Sequence, residues 1–273
     1  IEGPLNREMF HQAVELTLKE AKALHWRALQ KEGQVYRVDD VGLREPKFVD
    51  LSDLDEQAIL AWADQQVEPP FDLSRGHLYD YIFAHLGEHT YGLFFRAHHV
   101  ALDGYAYGLM ISRFLDYYQA LKNASALKNK GFDHFDQFLA DEQRYLASPK
   151  AEKDLQFWRD HFSHELAPKK RLKQKLKQPF YQGPRYEAVI DWDTQQQMNA
   201  LAAELKLPSA MVVMAVMMCY LVKQSGDPQQ CFGVPMMSRL GTAAMRIPCL
   251  VMNILPLRLA GTAQENLAET VRL

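Results

Sequence analysis

The stretch Arg96-Ala97-His98-His99-Val100-Ala101-Leu102-Asp103-Gly104 decides how the rest of the chain is read. It closes a run over 90–99 that is apolar or aromatic almost throughout until the two histidines, so the run predicts a strand. An apolar stretch over 105–121 follows and predicts a helix. The Asp103-Gly104 turn between them sets an imidazole at the edge of the fold, open to a substrate. A neutral histidine accepts a proton near physiological pH, which suits a general base. Gly104 lets a backbone N–H come close to a reacting oxygen, and N–H groups aimed at a developing oxyanion are often the largest catalytic contribution. Asp103 either orients the ring of His99 or holds the loop through a cation such as Arg239. A plain structural reading fits as well: adjacent histidines on a strand are commonly one core and one surface residue, and Asp-Gly is a common turn. Spacing alone leaves both open.

Working upstream, a second strand-like run over 78–86 joins the first through Gly87-Glu88. Pro69-Pro70 ends a helical pattern over 53–66. The segments 25–29 and 34–38 predict a hairpin around Glu32-Gly33. Asn6 caps a helix whose apolar positions Met9, Phe10, Ala13, Val14, Thr17, Ala21 and Leu24 recur at three-to-four spacing. Downstream, 132–162 reads as helix broken at Ser148-Pro149. A strand is expected over 185–192, then helices over 194–205 and 209–224, with Ser209 as a cap after Pro208. Two short apolar runs, 230–235 and 249–259, follow, with Arg239 and Arg258 at their ends. The cationic run over 168–178, with Lys169, Lys170 and Arg171, reads as exposed linker or as a docking patch for a carrier. The mixed order makes the class α/β, and the break near 165–183 suggests two lobes.

Composition narrows the function. At 48% hydrophobic and 24% charged over 273 residues the chain is an ordinary globular one. A net charge of −3 gives no pull toward nucleic acid. The most apolar stretch, 210–222, is shorter than the roughly 20 residues of a membrane span and is expected to be a buried helix. No signal peptide is visible, and a cytoplasmic, non-membrane protein is expected. Cys219, Cys231 and Cys249 fit neither a zinc site nor a disulfide framework; Cys231 and Cys249 sit in apolar runs and are expected to be buried thiols. No metal is expected: neighbouring strand residues point to opposite faces, so His98 and His99 do not share an ion, and His161, His164 and Glu165 read as a solvated helix end. Phosphate-loop, dinucleotide and G-x-S-x-G patterns are lacking. The opening Ile1 and the helical start over 265–272 suggest a fragment of a longer polypeptide.

At His98-His99-x-x-x-Asp103-Gly104 the sequence resembles the condensation domains of non-ribosomal peptide synthetases, whose signature is H-H-x-x-x-D-G. Wax-ester synthases and polyketide-associated acyltransferases share that motif, and chloramphenicol acetyltransferase has a shorter version. Pro70-Phe71-Asp72-Leu73-Ser74-Arg75-Gly76-His77-Leu78 is similar to the family's P-F-D-L-x-x-G-P-L. Phe232-Gly233-Val234-Pro235 through Arg239 is similar to its G-x-P-x-x-x-R. Cys249 through Arg258 is similar to G-x-x-x-N-x-x-P-x-R. Residues 239–244 and 252–257 look closest to synthetases of catechol siderophores, the enterobactin type. His77 stands where proline is usual, and the early R-H-E-x-L-R motif survives only in Leu24 and Trp26-Arg27.

The resemblance implies a two-lobed chloramphenicol acetyltransferase-like fold with an incomplete second lobe: 1–167, a linker over 168–183, and 184–273. It implies an acyltransferase that joins a carrier-bound acyl thioester to a carrier-bound aminoacyl amine in a tunnel between lobes. Partners would be upstream and downstream peptidyl or aryl carrier domains and a neighbouring adenylation domain in the parent chain. Phosphopantetheine arms belong to those carriers, and the domain itself needs no cofactor. Within the site the resemblance makes His99 the base or positioning group and Gly104 the oxyanion N–H donor. His98 becomes buried support, Asp103 and Arg239 a structural ion pair across the lobes, and Asn253 and Arg258 residues near the tunnel. A catechol acyl donor with a serine or threonine acceptor follows from the siderophore likeness. A free-standing coenzyme A-dependent acyltransferase of the same superfamily and a non-catalytic carrier-recruiting domain remain as alternatives.

Overall fold

The computed structural model describes residues 3, 5–67, 69–162 and 187–260. The chain forms two compact units, one built on residues 1–151 and 237–253, the other on 152–236 and 254–273.

The first unit opens with α1 (Arg7–Glu20), whose N-terminus is capped by the Asn6 side chain accepting from the Met9 N–H at 3.0 Å. A short 3-10 turn, Lys22–Leu24, leads into the hairpin β1 (Arg27–Lys31) and β2 (Gln34–Val38). Next come β3 (Lys47–Asp50), α2 (Glu56–Val67), β4 (Tyr79–Gly87), β5 (Thr90–Ala97) and α3 (Gly104–Lys122). The sheet order is β3-β4-β5, with β3 parallel and β5 antiparallel to β4. Tyr79 through Ala84 are all buried, so β4 is covered on both faces.

The period of two explains how. Tyr79, Tyr81 and Phe83 stand opposite Ala97, Phe95 and Leu93 on one face, and α1 and α3 pack there through Phe10, Val14, Leu18 and Met110. The Phe10 ring meets Phe83 and Phe114 edge-on at 5.3 and 5.1 Å, and burying each such side chain stabilises by roughly 1.5–3 kcal/mol. On the other face Trp62 of α2 meets Phe94 at 5.9 Å.

A polar clamp fixes the chain after α3. Glu20 accepts from Arg113 at 2.7 Å, from the Tyr117 hydroxyl at 3.0 Å and from the Phe132 N–H at 2.7 Å. Gly131 lies so close that a Cβ there would overlap Glu20 Oε1. Arg246 then donates to the Gly131 carbonyl at 2.7 Å and accepts from the Asp133 N–H at 3.1 Å. This ties residues 237–253 to the rest of the unit. The chain continues through α4 (Phe135–Leu146) and α5 (Pro149–His161), split at Ser148.

The second unit holds α5 from residue 152 onward, α6 (Trp192–Leu205), α7 (Ser209–Ser225) and the two-stranded sheet β6 (Gln229–Met236) and β7 (Asn253–Ala260). No single helix among the described residues is long and apolar enough to cross a membrane.

Several sequence expectations are corrected. The strand expected over 185–192 is not formed in its described part, because Asp191 caps α6 by accepting from the Thr194 N–H at 2.8 Å and Trp192 is already helical. Ser209 is not a cap: Pro208 holds that position, and the Ser209 hydroxyl donates to Asn199 Oδ1 at 3.1 Å. The apolar stretch 210–222 buries only Val212, Ala215, Met218 and Val222, leaving Tyr220 at 59% exposure. Cys231 is exposed because β6 alternates and places it on the open register. The histidine-bearing strand stops at Ala97, and strand pairing begins only at Asn253, because the N–H groups of Val251 and Met252 are taken by Asp103. The linker over 168–183 and the helix over 265–272 lie outside the described residues.

Candidate active site

Asp103 begins the site by doing two things at once. It is the N-cap of α3, accepting from the Ala106 N–H at 2.9 Å, and it is 2% exposed. Both its oxygens take Arg239 Nη2 at 2.9 Å. Oδ2 also accepts from the N–H groups of Val251 at 2.9 Å and Met252 at 3.0 Å. Burial pushes this carboxyl up, but the Val251 and Ala106 N–H groups, the Arg239 guanidinium and the Met252 N–H outweigh it and hold it below the ordinary aspartate value. The carboxylate is saturated by these donors and has no hydrogen bond to His99 among the described residues.

Arg239 is fully buried. Its Nη1 donates to the carbonyls of Ala244 and Ile247, and Nη2 also donates to that of Cys249. Its carbon Cζ lies 4.9 Å from the Tyr105 ring centre, and the Tyr105 hydroxyl donates to the Met245 carbonyl at 3.2 Å. The pair links the 1–167 and 184–273 segments, and both of its members belong to the first unit. Burial pushes the neighbouring Cys249 thiol up to about 11, which makes it an inert neutral group at neutral pH.

His98 sits just past the end of β5, half-buried. Its N–H donates to the Leu78 carbonyl at 2.7 Å, and its carbonyl accepts from Ala101 at 2.9 Å. The Val100 N–H donates to His98 Nδ1 at 3.0 Å. In the neutral ring that assigns the proton to Nε2. His99, the next residue, is exposed and makes no hydrogen bond among the described residues. Gly104 is the first residue of α3 and is exposed; a Cβ there would meet nothing within 4 Å. Its N–H is one of the groups a helix N-terminus leaves without an intrahelical partner. Beside them the Tyr107 hydroxyl accepts from the Ala97 N–H at 2.8 Å; burial pushes its pKa up, so it stays a neutral phenol.

One tight turn therefore brings together His98, His99, Asp103 and Gly104, and long-range contacts add Arg239. Asn253 is exposed and opens β7, next in sequence to Met252. Arg258 lies in the second unit, where it donates to His161 O at 3.4 Å and Gln229 Oε1 at 3.2 Å. No group of three or more His, Cys, Asp or Glu side chains gathers as a metal site among the described residues. Sequence reasoning missed Tyr105 beneath Arg239, and it missed the cluster that Arg44 and Arg96 form around buried Asp80. The signal for the cluster was present: Asp80 and Arg96 are opposite charges in two otherwise apolar strands, and they pair in register.

A family model described as "Condensation domain" matches residues 1–273. A dimodular nonribosomal peptide synthase of Bacillus subtilis is 28% identical, over 100% of this chain and 12% of its own. Enterobactin synthase component F of Escherichia coli O157:H7 is 23% identical, over 98% of this chain and 21% of its own. Among solved structures, the first condensation domain of the calcium-dependent antibiotic synthetase superposes with a TM-score of 0.82 at 26% identity, over 100% of this chain and 65% of that one. The chain thus spans about an eighth and a fifth of those two relatives and about two-thirds of that solved chain.

Proposed function

The chain belongs to the condensation-domain family of non-ribosomal peptide synthetases, and we propose that it forms an amide bond between a carrier-bound acyl thioester and a carrier-bound aminoacyl amine. The observation that carries this reading is the pairing of an exposed, unengaged His99 with an open Gly104 N–H on a turn locked from behind by Asp103.

The roles follow from that arrangement. The acceptor amine attacks the thioester carbonyl carbon, and a tetrahedral intermediate forms with negative charge on oxygen. The Gly104 N–H, at the positive end of α3, faces that oxygen. The absence of a Cβ has no packing cause among the described residues, so the room it leaves serves the approach of a reacting group. His99 accepts a proton from the attacking nitrogen or holds that nitrogen in place. Collapse breaks the C–S bond, and the proton returns to the departing phosphopantetheine thiolate. Amine and thioester become amide and thiol with no further reactant. His98, with Nδ1 committed to Val100, supports the turn and takes no proton in the reaction. Asp103 and Arg239 hold the loop and touch no substrate.

The partners in this reading are upstream and downstream peptidyl or aryl carriers, with an adenylation domain in the same polypeptide and a cytoplasmic setting. The likeness of residues 239–244 and 252–257 to catechol siderophore synthetases supports a 2,3-dihydroxybenzoyl donor and a seryl or threonyl acceptor. The test loads the carriers of the parent polypeptide with these groups and follows the acceptor carrier by intact-protein mass spectrometry. An amide on the acceptor carrier supports the reading. Acyl transfer only from free coenzyme A thioesters would replace it with the free-standing acyltransferase.

A further inference from the structure

Arg96 and the Pro70–Leu78 stretch stand beside the site, yet the mechanism gives them nothing to do. We propose that Arg96 and Phe71 are positioning residues that set the His98 turn, and through it His99; this rests on the condensation reading above.

The contacts form one continuous chain. Asp80 is buried at 7% exposure in β4 and meets two guanidinium groups, Arg44 at 2.6 Å and Arg96 at 2.7 Å. Arg96 in β5 donates to Asp80 Oδ2 through both Nε and Nη2. Its remaining nitrogen, Nη1, donates to the Val67 carbonyl at 3.1 Å and the Pro69 carbonyl at 2.6 Å. The planar group is thereby fixed in orientation, and its Cζ lies 4.5 Å from the centre of the Phe71 ring. Phe71 in turn meets the His98 imidazole edge-on, with ring centres 6.1 Å apart and planes at 77°. His98 Nδ1 then receives the Val100 N–H.

Each link restrains the next. Carboxylate and carbonyls fix the guanidinium, the guanidinium fixes the phenyl, and the phenyl limits rotation of the His98 ring. A ring so limited keeps Nδ1 facing Val100, which closes the turn from which His99 projects. Chain register adds a second tie, because Leu78, at the end of the same stretch, accepts the His98 N–H. The Pro-Phe-Asp-Leu segment and the double-histidine turn therefore form one structural unit although they are far apart in sequence. Arg96 touches no reacting atom; its effect is on geometry, where a displacement of about 1 Å can cost on the order of a hundredfold in rate.

The test uses the parent polypeptide with loaded carriers and the variants Arg96→Met, Phe71→Leu, their double, and Phe71→Tyr. Two readouts are taken: the single-turnover rate of amide formation, and hydrogen exchange of peptides covering residues 97–103 against peptides from α3. Each disruptive single variant should slow the reaction roughly tenfold or more, and the double should be no slower than the worse single, because both break one contact chain. Exchange at Val100 and Ala101 should quicken while α3 is unchanged. Phe71→Tyr keeps the ring and should restore both readouts. Rates near wild type in both singles would overturn the proposal, as would faster exchange spread evenly through the unit, which marks general destabilisation. If wild type makes no amide with any donor, the condensation reading fails, and the exchange measurement still decides whether these residues hold the turn.

Discussion

Arg239 and Asp103, 136 residues apart, meet through one guanidinium nitrogen that reaches both carboxylate oxygens at 2.9 Å. Both are buried. The pair fastens the start of α3 to the 237–253 segment, and the double-histidine turn hangs from that fastening.

Asp103→Ala should cost about 3–5 kcal/mol, because it leaves a buried guanidinium without its counter-charge and removes a helix cap. Thermal unfolding of the variant checks this. The double variant Asp103→Ala/Arg239→Met should regain part of the loss. A double that melts no higher than the single would show that the uncompensated charge is not the cause.

The same carboxylate sets an acid limit. Its folded pKa lies below the unfolded aspartate value, so its contribution is fully present above about pH 4. It is lost as pH falls through the lower folded value, because the unfolded state then binds the proton more readily. Urea midpoints measured between neutral pH and pH 3 should fall, and Asp103→Asn should fall less steeply over that interval.

His77 stands at the proline position of the P-F-D-L-x-x-G-P-L pattern that this stretch resembles, and its φ of 55° explains why proline does not fit here. His77→Pro should destabilise by roughly 2 kcal/mol or more, since the ring demands φ near −65° and the Gly76–His77 corner would have to rebuild. A melting temperature equal to or above that of wild type would contradict this left-handed corner.

The cysteines should separate by reactivity. Cys249 is buried with its thiol pushed up to about 11 by burial, whereas Cys231 is exposed. Iodoacetamide at pH 8 should modify Cys231 first and leave Cys249 unmodified until the protein unfolds, as peptide mass mapping would show.

Much of this was readable in the sequence, for identifiable reasons. The β4–β5 hairpin announces itself through consecutive apolar and aromatic residues, and α3 through Asp103 immediately before an apolar helical run. The His98, His99 and Gly104 placements follow from that local grammar. Elements that depend on distant partners were not readable. β3 is four residues with a lysine and an aspartate, and only its parallel pairing with β4 makes it a strand. Glu20 finds Arg113 and Phe132 across 93 and 112 residues, and no spacing rule points to either. Val189 and Ile190 are strand-forming side chains, yet Asp191 turns the chain into a helix. Local propensity lost there to a cap.

The most direct measurement is single-turnover amide formation in the parent polypeptide with loaded donor and acceptor carriers, comparing wild type with His99→Ala. The variant should keep its thermal stability, because the His99 side chain is exposed and makes no hydrogen bond among the described residues, and it should slow by on the order of a hundredfold or more. Product formed at the wild-type rate would contradict the assignment of His99 and, with it, the catalytic reading of the turn.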